Sequence, residues 1–205
     1  MASDGHGWVE VRVARYDAEH KQATRQRILA VAGRRFKQGG IDGSGIATVM
    51  KDAGLTNGAF YAHFASKEDL VAAVIAEQLR EQAIQFHDQP PTHTGVERIV
   101  RDYLSREHLD HPGDGCPSAA LLDEIGRSGQ AVKQVYTEGL MIIVDGIAAR
   151  LAPNDPASAR ARTLTAIALL IGTLQLSRAL ADPRLADDLL EQGVHDTLAA
   201  LGIAS

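Results

Sequence analysis

The sequence predicts an all-α protein in which a small N-terminal domain of three helices, containing a helix-turn-helix, precedes a larger helical domain. Apolar residues recur at helical spacing along most of the chain, and no stretch alternates with the period of two that a half-buried strand requires. Two short helical patterns meet at Gly54. Beyond residue 79, Pro and Gly residues divide the chain into about five further helical stretches.

The first long helix is expected to begin near residue 21, after a segment expected to form a flexible arm over residues 1–20. Ile28, Ala32 and Phe36 recur at helical spacing and supply its buried stripe. Between Lys21 and Lys37 the charged residues are all cationic, namely Arg25, Arg27, Arg34 and Arg35. Such a run is typical either of a solvated helix surface or of a surface that faces an anionic partner.

The next two helices meet in a tight turn. The helix before the turn has one apolar stripe, formed by Ile46, Val49 and Met50. Gly54 can adopt the left-handed conformation that ends a helix and turns the chain. Thr56 is placed to cap the following helix through its hydroxyl, so that helix begins near Asn57. A helix, a tight turn and a second helix form a helix-turn-helix, whose second helix can enter a DNA major groove.

The residues after the turn divide between a core side and an outer side. Phe60 and Phe64 lie one turn apart and are expected to face the core. The outward-facing residues are Asn57, Gly58, Tyr61 and His63. Ser66 and Asp69 have the spacing of a capping box, and they begin an amphipathic helix that continues towards Gln89 and links the two domains.

The segment A-G-L-T-N-G-A-F-Y-A-H-F-A-S-K-E-D-L, which begins at Ala53, resembles the N-terminal DNA-binding signature of the TetR family of transcriptional regulators. The resemblance extends from about Thr24 to about Leu79. Members of that family pair a three-helix DNA-binding domain with a divergent helical domain that binds a small ligand and dimerises. The resemblance therefore implies a DNA-binding domain over residues 21–68 and an effector-binding and dimerisation domain over residues 69–205.

The resemblance also implies which residues contact DNA. The set is Ser44, Thr48, Thr56, Asn57, Gly58, Tyr61, His63 and Lys67. Tyr61, His63, Lys67 and Ser44 would contact phosphates, while base edges would be read around Thr48, Asn57 and Gly58. Two positions depart from the family pattern: Gly45 stands where serine or threonine is usual, and Ala62 where a polar or aromatic residue is common.

The charge distribution agrees with a DNA-facing end. Residues 1–70 hold 10 Lys and Arg against 8 Asp and Glu, whereas the rest of the chain holds 11 against 18, within a net charge of -5. A positive N-terminal part and a negative distal part suit a protein that approaches a polyanion from one side. Beside the helix-turn-helix, we therefore expect the cationic run between Lys21 and Lys37 to lie near DNA.

Several other classes of protein are disfavoured. No stretch approaches the roughly 20 apolar residues of a membrane span, and the first residues lack a signal peptide's apolar core, so we expect a cytoplasmic protein without a membrane partner. The single cysteine excludes an intrachain disulfide and a multi-cysteine zinc site. No nucleophile with a base, carboxylate pair or phosphate-binding glycine loop occurs at a useful spacing, so we expect neither an enzyme nor a cofactor.

Dimerisation is predicted to use the last two helices. The stretch from Leu164 to Leu180 is apolar on nearly all sides and therefore needs partners on both faces. The C-terminal helix, from about Leu185 to Leu201, offers a second apolar stripe. A four-helix interface between two copies would use Leu169, Leu176, Leu190, Val194 and Leu198. The alternative is that these residues form the core of a monomer.

Cys116 follows a loop and begins a helix, a position that favours the thiolate. It also looks like a Gly-Cys element of some TetR-type regulators in which cysteines sense electrophiles or oxidants; a buried structural cysteine is the alternative. His108 and His111 lie just upstream, but their spacing is unspecific and we expect no metal. The candidate effector-pocket or sensor residues are Phe86, Tyr103, Cys116, Tyr136, Met141 and Gln175.

The hypothesis that follows is a homodimeric repressor that leaves a palindromic double-stranded DNA operator when a small-molecule effector binds or Cys116 is modified. Dimer symmetry dictates the palindrome. An activator or a constitutive DNA binder is an alternative with the same fold. A helical small-molecule binding protein or enzyme without a regulatory role is an alternative from another class.

Overall fold

The computed structural model describes residues 6–203, with side chains described from Glu19 onward, and within them the chain forms ten α-helices and no strand. The helices are α1 (His6–Gly39), α2 (Ile46–Asp52), α3 (Asn57–Phe60), α4 (Lys67–His87), α5 (His93–Tyr103), α6 (Arg106–Asp110), α7 (Pro117–Arg127), α8 (Gln130–Leu151), α9 (Pro156–Ala179) and α10 (Pro183–Leu201). The predicted all-α class is confirmed. No helix among residues 6–203 is both long enough and apolar enough to cross a bilayer.

The N-terminal segment differs from the expected flexible arm. α1 begins at His6, so residues 6–20 are helical, while residues 1–5 of the predicted arm lie outside the described residues. The sequence between Trp8 and Ala32 contains neither Gly nor Pro, which removes the usual reasons for a helix to stop.

The three-helix N-terminal bundle forms around aromatic and aliphatic side chains from every one of its helices. Its buried residues include Ile28, Phe36, Val49, Met50, Phe60 and Phe64. Gly54 ends α2 with φ of +68°, and the Leu55 amide donates to the Met50 carbonyl at 2.9 Å. A left-handed conformation costs less conformational energy for glycine than for a residue with a side chain, which explains why the turn occurs at Gly54.

The larger part of the molecule is a bundle in which α4 packs on α8, α8 on α9, and α9 on α10. α4 also packs against α1, so one continuous helix belongs to both parts. Gly193 on α10 marks a close approach, because a Cβ there would meet the Thr173 side chain at 2.5 Å. The buried side chains form one continuous apolar cluster from α1 to the C-terminus.

Six helices follow α4, whereas the sequence predicts about five. The additional break separates α5 from α6 at Leu104 and Ser105. The Ser105 hydroxyl accepts a hydrogen bond from the His108 amide at 3.2 Å and so caps α6. Serine is among the preferred N-cap residues, but no Gly or Pro marks this break, so it was missed.

The apolar stripe of α10 corrects the predicted dimer residues. Leu190 and Leu198 are 5% and 1% exposed and belong to the chain's own core, and Val194 packs partly against it. Leu169 and Leu176 on α9 are instead 38% and 54% exposed. α10 has a single apolar side, and α9 and α5 of the same chain occupy it.

Candidate functional site

The helix-turn-helix presents an exposed polar surface above a buried aromatic pair. The rings of Phe60 and Phe64 lie 5.6 Å apart in the core, and the Arg25 guanidinium lies 4.9 Å above the Phe64 ring. Tyr61 packs edge-on against Phe60 but leaves 71% of its surface exposed. An exposed tyrosine anchored by a buried neighbour can offer its hydroxyl to a partner without reorganising.

Most of the predicted DNA contacts lie at this surface. Thr48, Thr56, Asn57, Gly58 and Tyr61 are exposed, and His63 and Lys67 are half-buried. Lys67 is the first residue of α4, directly after the capping box, in which the Asp69 amide donates to Ser66 Oγ at 3.1 Å. Contact of these residues with DNA stays a prediction.

Ser44 corrects the predicted set. Its side chain is buried, and its hydroxyl donates to the Gly40 carbonyl at 2.9 Å. A serine hydroxyl has one proton to donate, so this one is not available to a phosphate. Ser44 instead fixes the connection between α1 and α2.

Two further details of the turn differ from the expectation. Thr56 occupies the N-cap position of α3 in an extended conformation, but its side chain makes no capping hydrogen bond. Burial lowers the pKa of His63 below its ordinary value, and the cations Lys21 and Arg25 lower it further. His63 is therefore neutral at physiological pH and would serve as a hydrogen-bond donor rather than a cation.

The cationic residues of α1 between Lys21 and Lys37 face two different parts of the molecule. Arg25 and Lys21 lie beside the helix-turn-helix, close enough to affect His63. Arg35 pairs with Asp52 of α2. Arg34 and Lys37 face the larger part of the molecule, so the expected proximity to DNA does not hold for the C-terminal half of the run.

We call the contacts between α1 and the larger part the α1 junction, which consists of Arg34, Lys37, Ile41, Asp114, Gly115 and Glu124. Arg34 pairs with Asp114 at 2.7 Å, and Lys37 Nζ donates to the Gly115 carbonyl at 2.8 Å. The Glu124 carboxylate of α7 accepts from the Ile41 amide at 2.7 Å. Movement of the loop before α7 would therefore pull directly on the end of α1.

A cavity of about 720 Å³ opens beside the α1 junction. Its wall includes Lys37, Gln78, Glu81, Gln82, Gln85, Phe86, Gln89, Ile99, Asp102, Tyr103, Ser105, Glu107, His108, His111, Asp114, Gly115, Cys116 and Pro117. Drug-sized ligands occupy cavities of about 300–1,000 Å³, so the volume suits a small molecule. Lys37 belongs both to this wall and to α1, the helix that carries the three-helix N-terminal bundle.

The cavity wall is built on a chain of hydrogen bonds. His108 Nδ1 lies 2.8 Å from the Tyr103 carbonyl, and its Nε2 accepts from the Cys116 amide at 3.0 Å. This pattern requires a neutral imidazole with the proton on Nδ1. Burial lowers the pKa of His108, which keeps the ring neutral. The His108 ring therefore fixes Cys116 at the start of α7.

Cys116 and Tyr103 lie where the cavity continues inward. The Cys116 thiol donates to Gln82 Oε1 at 3.4 Å and is 8% exposed. The Tyr103 hydroxyl is buried beside the Cys116 thiol and makes no hydrogen bond of ordinary geometry with a described residue. Burial raises the pKa of Tyr103 well above its ordinary value, so the phenol is protonated.

Three of the predicted pocket residues lie elsewhere. Tyr103, Cys116 and Phe86 line the cavity, whereas Tyr136, Met141 and Gln175 do not. The Tyr136 hydroxyl donates to Ser118 Oγ at 3.1 Å inside the bundle. Gln175 is exposed on α9. Helical periodicity gives the side of a helix but not the neighbour that covers it.

Arg178 holds segments that form the cavity wall, and its role is not predicted from the sequence. Its guanidinium donates to the carbonyl oxygens of His108, Leu109 and Ala119. These contacts join α9 to the end of α6 and to α7. The available indication was the single arginine in the apolar stretch from Leu164 to Leu180, because an arginine drawn into an apolar surrounding usually has acceptors.

Comparison with known proteins gives both a sequence family and a fold. The family model for bacterial regulatory proteins of the tetR family matches residues 28–74. The HTH-type transcriptional regulator AcrR of Shigella flexneri is 42% identical over 62 residues, which are 30% of this chain and 29% of AcrR. UidR of Escherichia coli K12 is 30% identical over 114 residues, 56% of each chain. The chain thus spans about half or less of these relatives.

Solved structures with the same fold cover most of the chain. The reduced form of NemR from E. coli has a TM-score of 0.71 at 17% identity, covering 85% of this chain and 95% of NemR. A TetR-family regulator from Agrobacterium tumefaciens has a TM-score of 0.69 at 19% identity, covering 86% and 98%. Such identities establish the fold alone. The family model adds that residues 28–74, which contain the helix-turn-helix, are similar to bacterial regulatory proteins of the tetR family, and the chain has the fold of TetR-family regulators.

Proposed function

We propose that this protein is a homodimeric transcriptional repressor of the cytoplasm that binds a palindromic operator and releases it when a small molecule occupies the cavity beside the α1 junction. Residues 21–68 act as the DNA-binding domain, and residues 69–205 hold the effector and the dimer interface. The observation that carries the proposal is the shared position of Lys37, which lines the cavity from the helix that supports the DNA-binding bundle.

The exposed residues of the helix-turn-helix support the DNA-binding part. Asn57 and Gly58 begin α3 at the surface, where the second helix of this motif meets base edges. Tyr61 and Lys67 flank them and offer a hydroxyl and an ammonium to phosphates. Gly58 has open space around its missing side chain, which leaves room for close approach of a duplex.

The α1 junction supports the regulatory part. A ligand in the cavity lies against Lys37, Asp114 and Gly115, whose contacts hold the end of α1. Differential contacts in the liganded and free forms are what a ligand needs to shift a conformational equilibrium. Rotation of one bundle relative to its partner then changes the spacing of the two recognition helices.

Modification of Cys116 is a second proposed route to the same change. The thiol lines the cavity and donates to Gln82, so an attached group would replace that hydrogen bond and enter the cavity. The adduct and a bound ligand would then compete for one space. The buried thiol and the carboxylates around the cavity favour the non-covalent route in an unmodified protein.

The exposed side of α9 supports the dimer. Leu164, Leu169 and Leu176 lie exposed on this helix, and Leu185 is exposed at the start of α10. Gly172 lies between them with open space around it, so another helix can approach closely. This set replaces Leu190 and Leu198, which the chain itself buries.

The experiment that tests the function is selection of purified protein against a random duplex library at about physiological salt, where nonspecific binding is suppressed. An enriched palindrome would support a symmetric, sequence-specific DNA binder. A reporter driven by the selected sequence should then rise when the gene is deleted, because loss of a repressor raises transcription. Enrichment of no sequence, or a reporter that falls, would contradict the proposal.

Lys67→Ala and Asn57→Ala are expected to separate phosphate contact from base reading. Loss of Lys67 should weaken binding to every sequence and reduce the slope of log K against log salt by about 1. Loss of Asn57 should change the preferred base at one position of each half-site, at about 1–3 kcal/mol per contact. Fluorescence anisotropy with matched and mismatched duplexes measures both. Lys133→Ala, at an exposed lysine of α8, is the control.

Glu124→Gln is expected to loosen the α1 junction. The carboxylate accepts from the amides of Ile41 and Asp42, and charge-assisted bonds are about twice as strong as neutral ones. Amide exchange at Ile41 should therefore rise by about tenfold. Asp123→Asn changes the neighbouring carboxylate, which pairs with Arg127 at the surface, and should leave that exchange rate unchanged. Equal exchange in the two variants would contradict the role of Glu124.

A further inference from the structure

Most of the charged side chains in the outer part of the cavity are negative. Four carboxylates line it, from α4, α5, α6 and the loop before α7, and they are Glu81, Asp102, Glu107 and Asp114. The ammonium of Lys37 is the one Lys or Arg cation in the described lining. Asp114 pairs with Arg34, and Glu107 lies 3.2 Å from His111 Nδ1. Glu81 and Asp102 have no ion pair or hydrogen bond with any described residue.

The inner end of the cavity is apolar and aromatic. Phe86, Ile99 and Tyr103 line both the outer cavity and a small inner cavity of about 20 Å³. The rest of the inner wall consists of Gln82, Cys116 and Ser118 and of six aliphatic side chains, Leu140, Ile143, Ile147, Ile167, Leu170 and Ile171. An apolar body that lay in the outer cavity against these three side chains would leave water, and the two aromatic rings could also face a cation.

The Tyr103 hydroxyl marks the boundary between the two ends. Tyr103 is 7% exposed, and its ring packs edge-on against His108 at 4.7 Å. Its hydroxyl lies beside the Cys116 thiol but makes no hydrogen bond of ordinary geometry within the described part of the chain. A buried hydroxyl without a partner costs free energy, and a ligand with a polar hydrogen would relieve that cost. The hydroxyl is therefore a second indication of a ligand, independent of the carboxylates.

We propose that the cavity binds an organic cation, a protonated amine joined to an aromatic or apolar body. The body lies against Phe86 and Ile99, the ammonium donates to the Tyr103 oxygen, and Glu81 and Asp102 balance its charge from the rim. This assignment rests on the proposed function only in giving the cation the role of effector. In that role the cation would compete with Arg34 for the Asp114 carboxylate, and the loss of this ion pair would act on the α1 junction.

The alternative ligand class is an organic anion, because a carboxylate could pair with the Lys37 ammonium. Lys37 Nζ already donates to the Gly115 carbonyl, and Asp114 and Glu81 lie close enough to interact with its charge. An anion that reached Lys37 would have to pass these carboxylates. The balance of charge on the wall therefore favours a cation.

Three compounds with one skeleton test the choice: 3,3-diphenylpropylamine, 3,3-diphenylpropan-1-ol and 3,3-diphenylpropanoate. Titration calorimetry on the full-length protein without DNA gives the three dissociation constants. The amine is expected to bind at least about tenfold more tightly than the carboxylate, with the alcohol between them. Equal or tighter binding of the carboxylate would overturn the proposal, as would amine binding weaker than about 1 mM.

Substitutions in the cavity wall then test which side chains make the cavity prefer a positively charged ligand. Glu81→Gln with Asp102→Asn should bring the amine-to-carboxylate ratio close to one while changing the affinity for the alcohol less than about twofold. Asp155→Asn, at a carboxylate before α9 and outside the cavity wall, should keep the ratio of the unmodified protein. Tyr103→Phe should weaken amine binding about threefold or more. A double variant that retains the full ratio would overturn the assignment.

Failure of this proposal and failure of the proposed function give different results. Selective amine binding by a protein that enriches no duplex would leave the ligand class standing and remove the repressor. A protein that enriches a palindrome but prefers the carboxylate would keep the repressor and lose the cation. Amine binding that leaves operator affinity unchanged would remove only the effector role.

Discussion

Leu169→Glu combined with Leu176→Glu is expected to convert the protein to a monomer and to weaken operator binding by at least about 100-fold. Both side chains lie exposed on one side of α9, next to the open surface at Gly172. In a two-fold dimer each substitution appears twice, so four carboxylates would be buried against an apolar partner. A monomer can occupy only one half-site, which removes the gain from joining two recognition helices.

Light scattering after gel filtration measures the change in mass, and fluorescence anisotropy measures operator affinity. Circular dichroism should remain that of a helical protein, because both leucines point away from the chain's own core. Thr94→Glu is the matched control, since it adds a carboxylate in the exposed first turn of α5, where a negative charge is favourable. A double variant that remains dimeric would contradict the α9 interface.

The same experiment at Leu190 or Leu198 would give an ambiguous result. Both side chains are buried within one chain, so a charged residue there would unfold the protein whether or not it dimerises. The sequence identified the apolar stripe of α10 correctly but assigned it to the partner. Periodicity locates a stripe, whereas the choice between a neighbour in the same chain and one in a second copy depends on tertiary packing.

Sequence features that depend on neighbouring residues predicted the helix ends, the helix cap and the core-facing side chains correctly. Gly54 ends α2, Ser66 caps α4, and Phe60 and Phe64 face the core, because each of these features depends on residues within about one helical turn. The break at Ser105 is not predicted although serine is a good cap, since no Gly or Pro marks it.

Long-range pairs could not be predicted in this way. Arg34 and Asp114 are 80 residues apart, and a run of arginines in sequence does not indicate which of them will find a carboxylate in another helix. The cavity depends equally on distant segments, with Gln82, Tyr103 and Cys116 supplied by three helices and their connections. Tyr103 and Cys116 are nevertheless predicted, Tyr103 as a partly polar residue on a predicted helix and Cys116 as a thiol that follows a loop and begins a helix.

Arg178→Met is expected to lower the free energy of unfolding by about 2 kcal/mol and to weaken ligand binding in the cavity. The guanidinium of Arg178 satisfies carbonyl oxygens at the end of α6 and in α7, and its fork geometry reaches several at once. Methionine keeps most of the apolar stem but offers no donor, so these oxygens lose their partner. The position of His108 would then be less well defined, and with it the amide of Cys116.

Urea unfolding at one fixed protein concentration measures the change, since the stability of a dimer depends on concentration. Arg178→Lys should recover only part of the loss, because an ammonium keeps the charge but cannot bridge the separated carbonyls. Arg162→Met, at an exposed position of the same helix, should stay within about 0.5 kcal/mol of the unmodified protein. If Arg178→Met were as stable as Arg162→Met, the cavity would not depend on this residue, and the α6–α7 segment would have to be held by its apolar contacts alone.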